Sequence, residues 1–186
     1  INISSPNTEG LRDFHNQSEM EKLLKGLNEI KKVKKINQSI ILKLSPDIND
    51  SKISPIIELI QKYKINGIII SNTTDQNREK LIDSKKIEKG GLSGKPLRNI
   101  STKLIKKFYK ETKGKLQIIG VGGIDSGESA FEKISAGATA VQLYTGMVYK
   151  GPGIVKNIKT DLISILKKHN LKNIKNAVGI NAWQTN

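Results

Sequence analysis

Four short runs of apolar, largely β-branched residues recur along the chain, each separated from the next by a stretch of helical periodicity. The runs are Ser39 to Leu44, Gly67 to Ser71, Gln117 to Gly120 and Ala140 to Leu143. Continuous apolar strands are buried on both faces, which calls for a parallel sheet covered by helices. Between them, Met20, Leu23, Leu24, Leu27 and Ile30 repeat at helical spacing, as do Ile53, Ile56, Ile57 and Ile60. Later faces carry Leu104, Ile105, Phe108 and Tyr109, then Ala130, Phe131 and Ile134, and finally Ile154, Val155, Ile158, Leu162, Ile165 and Leu166. Ser18 with Glu21 and Asp125 with Glu128 read as capping boxes, and Pro55 fits a first helical turn. Ile1-Asn2-Ile3 reads as the tail of a further strand.

Two α/β architectures suit this pattern: a doubly wound open sheet, or part of a (β/α)8 barrel. The strand ends favour the barrel. Polar or glycine-rich signals mark each strand's carboxyl end: Ser4-Ser5-Pro6-Asn7, Lys43 (before the breaker Ser45-Pro46-Asp47), Ser71-Asn72-Thr73-Thr74, Gly120-Val121-Gly122-Gly123 and Tyr144-Thr145-Gly146. Barrel enzymes build their sites on that rim, from several strands at once. A complete barrel takes about 250 residues. The 186 residues here form a single domain on this reading, residues 1–186, and supply roughly the second half of a TIM barrel.

Composition removes several functions. With no cysteine there is no disulfide framework, thiolate zinc site or cysteine nucleophile, and no metal site is expected. No apolar run approaches the roughly 20 residues of a membrane span. The net charge of +15 raises the question of nucleic acid. However, only Arg12, Arg78 and Arg98 are arginine, and no aromatic residues interleave with the scattered lysines, so a solvated surface is preferred to a basic binding face. His15 and His169 stand in polar surroundings that suit no catalytic triad.

Within the strands and their loops, several residues carry chemistry. Lys43 sits between Leu42 and Leu44. It is either a fixed positive charge beneath an electron-rich ligand or a strand-end lysine that reaches solvent. Gly122-Gly123, between a strand and a capped helix, either cradles an anion with backbone N–H groups or makes a tight turn. Tyr144-Thr145-Gly146, one unit later, adds to the anion reading, because barrels bind phosphate with the loops after their last two strands. Asn2, Asn7 and Asn72 are uncharged amides at strand ends, suited to a ring bearing alternating C=O and N–H groups. The long excursion from Asn72 to Asn99, with Gly90-Gly91 and Gly94, is expected to be functional.

Asn2-Ile3-Ser4-Ser5-Pro6-Asn7-Thr8-Glu9-Gly10-Leu11-Arg12, Leu42-Lys43-Leu44-Ser45-Pro46-Asp47 and Ser71-Asn72-Thr73-Thr74 resemble the signatures of the dihydroorotate dehydrogenases. So do Gly90-Gly91-Leu92-Ser93-Gly94-Lys95-Pro96-Leu97, Gly120-Val121-Gly122-Gly123-Ile124 and Gln142-Leu143-Tyr144-Thr145, all in family order. Serine at position 5 resembles the class 2, quinone-reducing branch, where the other branch carries cysteine. The resemblance implies an FMN-containing (β/α)8 barrel that oxidises dihydroorotate to orotate in pyrimidine biosynthesis and passes electrons to a quinone. It implies Ser5 as catalytic base with Thr8 as proton relay, and Asn2, Asn7, Asn72 and Thr73 as substrate ligands. It further implies Asn2, Lys43, Ser71, Gly94, Gly123, Tyr144 and Thr145 at the flavin, with the last three near its phosphate. Ser71 stands where relatives often carry threonine, which keeps the hydroxyl. The family's first half, with its substrate lysine, its asparagine-rich substrate loop and its membrane-docking helices, has no counterpart here. Whole members are peripheral proteins, on the cytoplasmic face of the cell membrane in bacteria. This fragment is expected to be soluble and inactive alone, and an inactive remnant or split-gene half acting as a folding module is the alternative.

Overall fold

A computed structural model describes residues 1–76, 78, 79 and 81–184. Four strands, β1 (Ile41–Leu44), β2 (Gly67–Ile70), β3 (Gln117–Val121) and β4 (Ala140–Gln142), form one wholly parallel sheet in the order β1-β2-β3-β4. Ile1–Ile3 adds a stave beside β1: the Ile3 amide donates to the Lys43 carbonyl and the Lys43 amide to that of Ile1. The spatial order is therefore the chain order, with no reversal. A doubly wound sheet would switch direction; this α/β arrangement is an arc of barrel staves, as expected.

The helices are α1 (Gln17–Val33), α2 (Ile53–Lys62), α3 (Arg98–Glu111), α4 (Gly127–Ser135), α5 (Thr145–Lys150) and α6 (Ile154–Lys168). Right-handed crossovers place successive helices on the same side of a parallel sheet, and α1 packs on α2, α2 on α3, α3 on α4 and α4 on α6. The alternation of side chains along each strand sorts the two faces. Leu42, Leu44, Ile68, Ile70 and Ile118 are fully buried against Met20, Leu24, Ile56, Ile60, Ile105 and Phe108. Their alternates, Ile41, Lys43, Ile69, Ile119 and Val121, are only half-buried on the opposite face.

Local signals mislead in four places. Ser18 lies inside α1, whose N-cap is Asn16 without a side-chain cap; Glu21 instead meets Lys62 and the Tyr63 hydroxyl of α2. The capping box of α4 is Ser126 with Ser129, one register beyond Asp125 with Glu128. Asp125 is taken by Arg98. β4 was expected to be buried, yet Ala140 and Gln142 are exposed because among the described residues no strand lies beyond it. His15 is buried, at 5% exposure, rather than among polar groups in solvent. In the excursion after β2, Thr74 and Leu92 pair antiparallel, while Asn77 and Lys80 lie outside the described residues. Among the described residues no helix is long and apolar enough to cross a membrane.

Candidate active site

A cavity of about 770 Å³ opens at the carboxyl ends of the sheet, within the roughly 300–1,000 Å³ typical of ligand sites. Each strand supplies part of its wall. Lys43 comes from β1; Ser71, Asn72 and Thr73 follow β2; Gly122 and Gly123 follow β3; Tyr144 and Thr145 follow β4. Gly94, in the segment before α3, closes one side, and the Ser93 and Thr145 hydroxyls meet at 2.9 Å. Eight of the eleven residues that the resemblance assigns to catalysis, substrate or flavin thus share one concavity, with Gly122 beside them.

The other three lie beside it. Asn2 reaches the rim through Asn72, whose Nδ2 donates to Asn2 Oδ1 at 3.1 Å and to Ser4 Oγ at 3.0 Å. The Ser4 hydroxyl donates to the same Asn2 oxygen at 2.8 Å, so the amides are oriented by a small uncharged network. Ser5 is in the loop that follows, where its Oγ accepts from the Asn7 amide at 3.2 Å. Ser5 and Asn7 are not cavity walls, but their loop touches the rim at Gly91. A Cβ there would meet Pro6 Cγ at 3.2 Å and collide with Thr73 Oγ1.

Lys43 faces the cavity because its neighbours Leu42 and Leu44 take the helix side. Among the described residues its ammonium makes no ion pair. A half-buried cation without a carboxylate suits an electron-rich ligand. The glycine turn has two causes. Behind it, the start of α3 comes so close that a Cβ on Gly123 would lie 2.6 Å from Arg98 Cβ, and one on Gly122 would lie 2.9 Å from Ser101 Oγ. Both glycines also take positive φ, at 115° and 71°. In front, the turn borders the cavity, where backbone donors suit a phosphate. The Asn72 amide, the Lys43 cation and the glycine turn line one cavity whose size and donors would suit FMN, the amide and cation toward its ring and the turn toward its phosphate.

A polar knot near the rim escaped the sequence reading. Arg12 pairs with Asp47 at 3.1 Å and Asp75 at 2.8 Å and donates to the Thr73 carbonyl at 3.4 Å; Thr74 Oγ1 donates to Asp47 at 2.6 Å. The Arg12–Asp47 approach lacks hydrogen-bond alignment, which leaves Arg12 Nε and Asp47 Oδ2 buried without hydrogen-bond partners among the described residues. Burial pushes the Asp47 carboxyl above its usual range, against the pull of Thr74 and Arg12. The Arg12 hydrogen bond holds Asp75 below it. The signal was present: Arg12, Asp47 and Thr74 each end one of the quoted motifs. His15 joins in, its Nε2 accepting from the Ser45 amide at 3.2 Å.

Comparison with known proteins agrees with this geometry. The family described as "Dihydroorotate dehydrogenase" matches residues 1–166. The chain is 50% identical to the dihydroorotate dehydrogenase (quinone) of Trichodesmium erythraeum, over 97% of this chain and 49% of that protein. It is 39% identical to the mitochondrial enzyme of Mus musculus, over 97% of this chain and 46% of that protein. The ligand-free DHODH crystal structure from Eimeria tenella superposes with a TM-score of 0.92 at 32% identity, covering 99% of this chain and 56% of the other. The chain spans about half the length of the curated relatives it matches. Residues 1–166 thus match the family's model, the fold is that of its solved members, and the chain belongs to the dihydroorotate dehydrogenase family.

Proposed function

We propose that the chain forms the greater part of the flavin and substrate site of a quinone-dependent dihydroorotate dehydrogenase. In this reading, (S)-dihydroorotate is oxidised to orotate for pyrimidine biosynthesis. The observation that carries the proposal is the convergence of Lys43, Asn72, Thr73, Gly94, Gly123 and Thr145 on one cavity at the strand ends. FMN, when bound, supplies the acceptor for the hydride leaving the substrate's C6.

The chain's own residues do the rest. Asn72, with Asn2 and Thr73, orients the substrate ring through uncharged hydrogen bonds, and Asn7 joins them from the loop above. Ser5 Oγ takes the proton from C5. Because a neutral hydroxyl is a weak base, that proton needs an exit, and Thr8 is the relay. Ser5 stands in the loop beside the cavity wall, next to Pro6, which packs at the rim by Gly91. Lys43 would set its positive charge beside the pyrimidine edge of the flavin. Ser71 and Gly94 would flank its ring, while Gly123, Tyr144 and Thr145 would hold its phosphate. Delivery of electrons to a quinone, and attachment to a membrane surface, belong to the whole protein.

The test uses the whole protein that carries this chain. Its flavin absorbance should bleach anaerobically on adding dihydroorotate. Ser5→Ala should retain the flavin and bleach roughly 10²- to 10⁴-fold more slowly. A protein that binds no flavin, or one whose flavin ignores dihydroorotate, would overturn the proposal.

A further inference from the structure

Lys133 is the one lysine among the fully buried side chains of the described residues, with no surface exposed to solvent. It belongs to α4, and its stem crosses β3 at Gly120, where a Cβ would come within 3.1 Å of Lys133 Cβ. A side chain at 120 would press on Lys133, Ala138 and Ile105 together. Its ammonium ends at the first turn of α3 and donates to the Arg98 carbonyl and to Thr102 Oγ1, both at 2.5 Å. Thr102 Oγ1 in turn donates to the same carbonyl at 2.8 Å and lies 3.2 Å from Glu132.

Arg98 is where this buried cation meets the cavity. Its backbone holds Lys133, and its side chain runs the other way: Nε donates to the Gly123 carbonyl at 3.0 Å and the guanidinium pairs with Asp125. Its Cβ and Cα are the atoms that a side chain at Gly123 would strike. The first turn of α3 is therefore the platform on which the glycine turn rests.

We propose that Lys133 is a positioning residue for the glycine turn: its ammonium pins the first turn of α3, and through Arg98 fixes where Gly122 and Gly123 present their backbone to the cavity. The linkage stands on these contacts; that its beneficiary is the flavin phosphate rests on the function proposed above. Burying an ammonium against neutral oxygens is costly, and a purely structural tie would not need the charge. The charged groups acting on it are the Arg98 guanidinium across the interface and the Glu132 carboxylate on its own helix; β3 meets it with Gly120. Burial brings its pKa down to about 7, so the pin loosens across neutral pH.

The experiment is carried out on the whole protein containing this chain, with glycine labelled by ¹⁵N, and follows the Gly122 and Gly123 amide resonances from pH 6 to 9. Both should titrate with a midpoint near 7 in the wild type; Lys133→Met should abolish that titration, and Thr102→Val should displace its midpoint. In parallel, FMN and riboflavin affinities are compared by flavin fluorescence. Lys133→Met should weaken FMN by roughly fivefold or more while leaving riboflavin, which lacks the phosphate, nearly unchanged. Glycine resonances that do not titrate in the wild type, or that titrate unaltered in Lys133→Met, overturn the proposal, as does an equal loss of both flavins. Should the wild type bind neither flavin, the function proposed above fails, and the glycine titration alone decides this linkage.

Discussion

The His15 imidazole is held neutral by its surroundings: burial lowers its pKa from about 6.5, and the positive charges of Lys52 and Arg12 add to the effect. Its Nε2 accepts from the Ser45 amide, which a protonated ring could not do. As pH falls through 6.5 the unfolded chain takes up a proton before the folded one. Stability is therefore complete above that pH and is lost progressively below it. We expect the urea midpoint to fall between pH 7 and 5, and His15→Gln, which keeps an acceptor for Ser45, to flatten that limb. His15 lay in a polar stretch, so nothing in the local spacing marked it as buried. What buries it is the strand-end turn at Ser45, 30 positions along the chain. Lys43 shows the opposite case. It was legible because a charge flanked by Leu42 and Leu44 in an apolar strand has a single uncommitted face.

At the scale of the element, α4 begins where a strand end, a glycine turn and a helix cap overlap. The Ser126 hydroxyl accepts from the Ser129 amide, and the Ser129 hydroxyl accepts from the Ser126 amide. Ser126→Ala should cost about 1 kcal/mol of unfolding free energy, read from urea denaturation. Asp125→Asn should instead loosen the Arg98 contact while keeping an oxygen for the Ser129 hydroxyl, which donates to Asp125 Oδ1 at 3.3 Å, so the cap should persist. Sequence spacing placed the helix correctly but chose the wrong capping pair, because Asp-Ser-Gly-Glu-Ser offers two overlapping pairs. The choice falls to Arg98, 27 residues earlier, which claims Asp125. Likewise Glu21 looked like a capping residue until Lys62 and Tyr63, 41 and 42 residues away, engaged it. Apolar periodicity is a local property and located all the strands and long helices. Cap identity depends on distant partners, and local spacing cannot show those.

Considered whole, the sheet has one face covered by helices and one face bare. Half-buried Ile41, Ile69, Ile119 and Val121 on the bare side, together with exposed Tyr144, Val148 and Tyr149 at 80%, 66% and 84%, leave a broad apolar surface. Apolar surface left exposed on this scale favours association with other apolar groups. The isolated 186-residue chain should therefore bind 1-anilinonaphthalene-8-sulfonate strongly and show no dihydroorotate-dependent dye reduction. Supplying the remaining barrel staves in trans should suppress the dye's fluorescence. Weak dye binding by the isolated chain would show that the bare face is covered in some other way. Barrel membership was legible from strand periodicity and from where the polar residues fall; the excursion carrying Gly94 was read as functional, but its contact with Thr145 was not legible, because only the fold brings the two together.

The staves stand in the sequence in which they are threaded, from Ile1–Ile3 through to β4. Each newly synthesised strand finds its hydrogen-bonding neighbour already in place, separated from it by a single helix and its loops. Assembly can proceed like courses of brick, with the growing edge always the most recent. Each pairing between these staves then closes a loop of one helical unit, and the entropic cost of closure grows only slowly with that length.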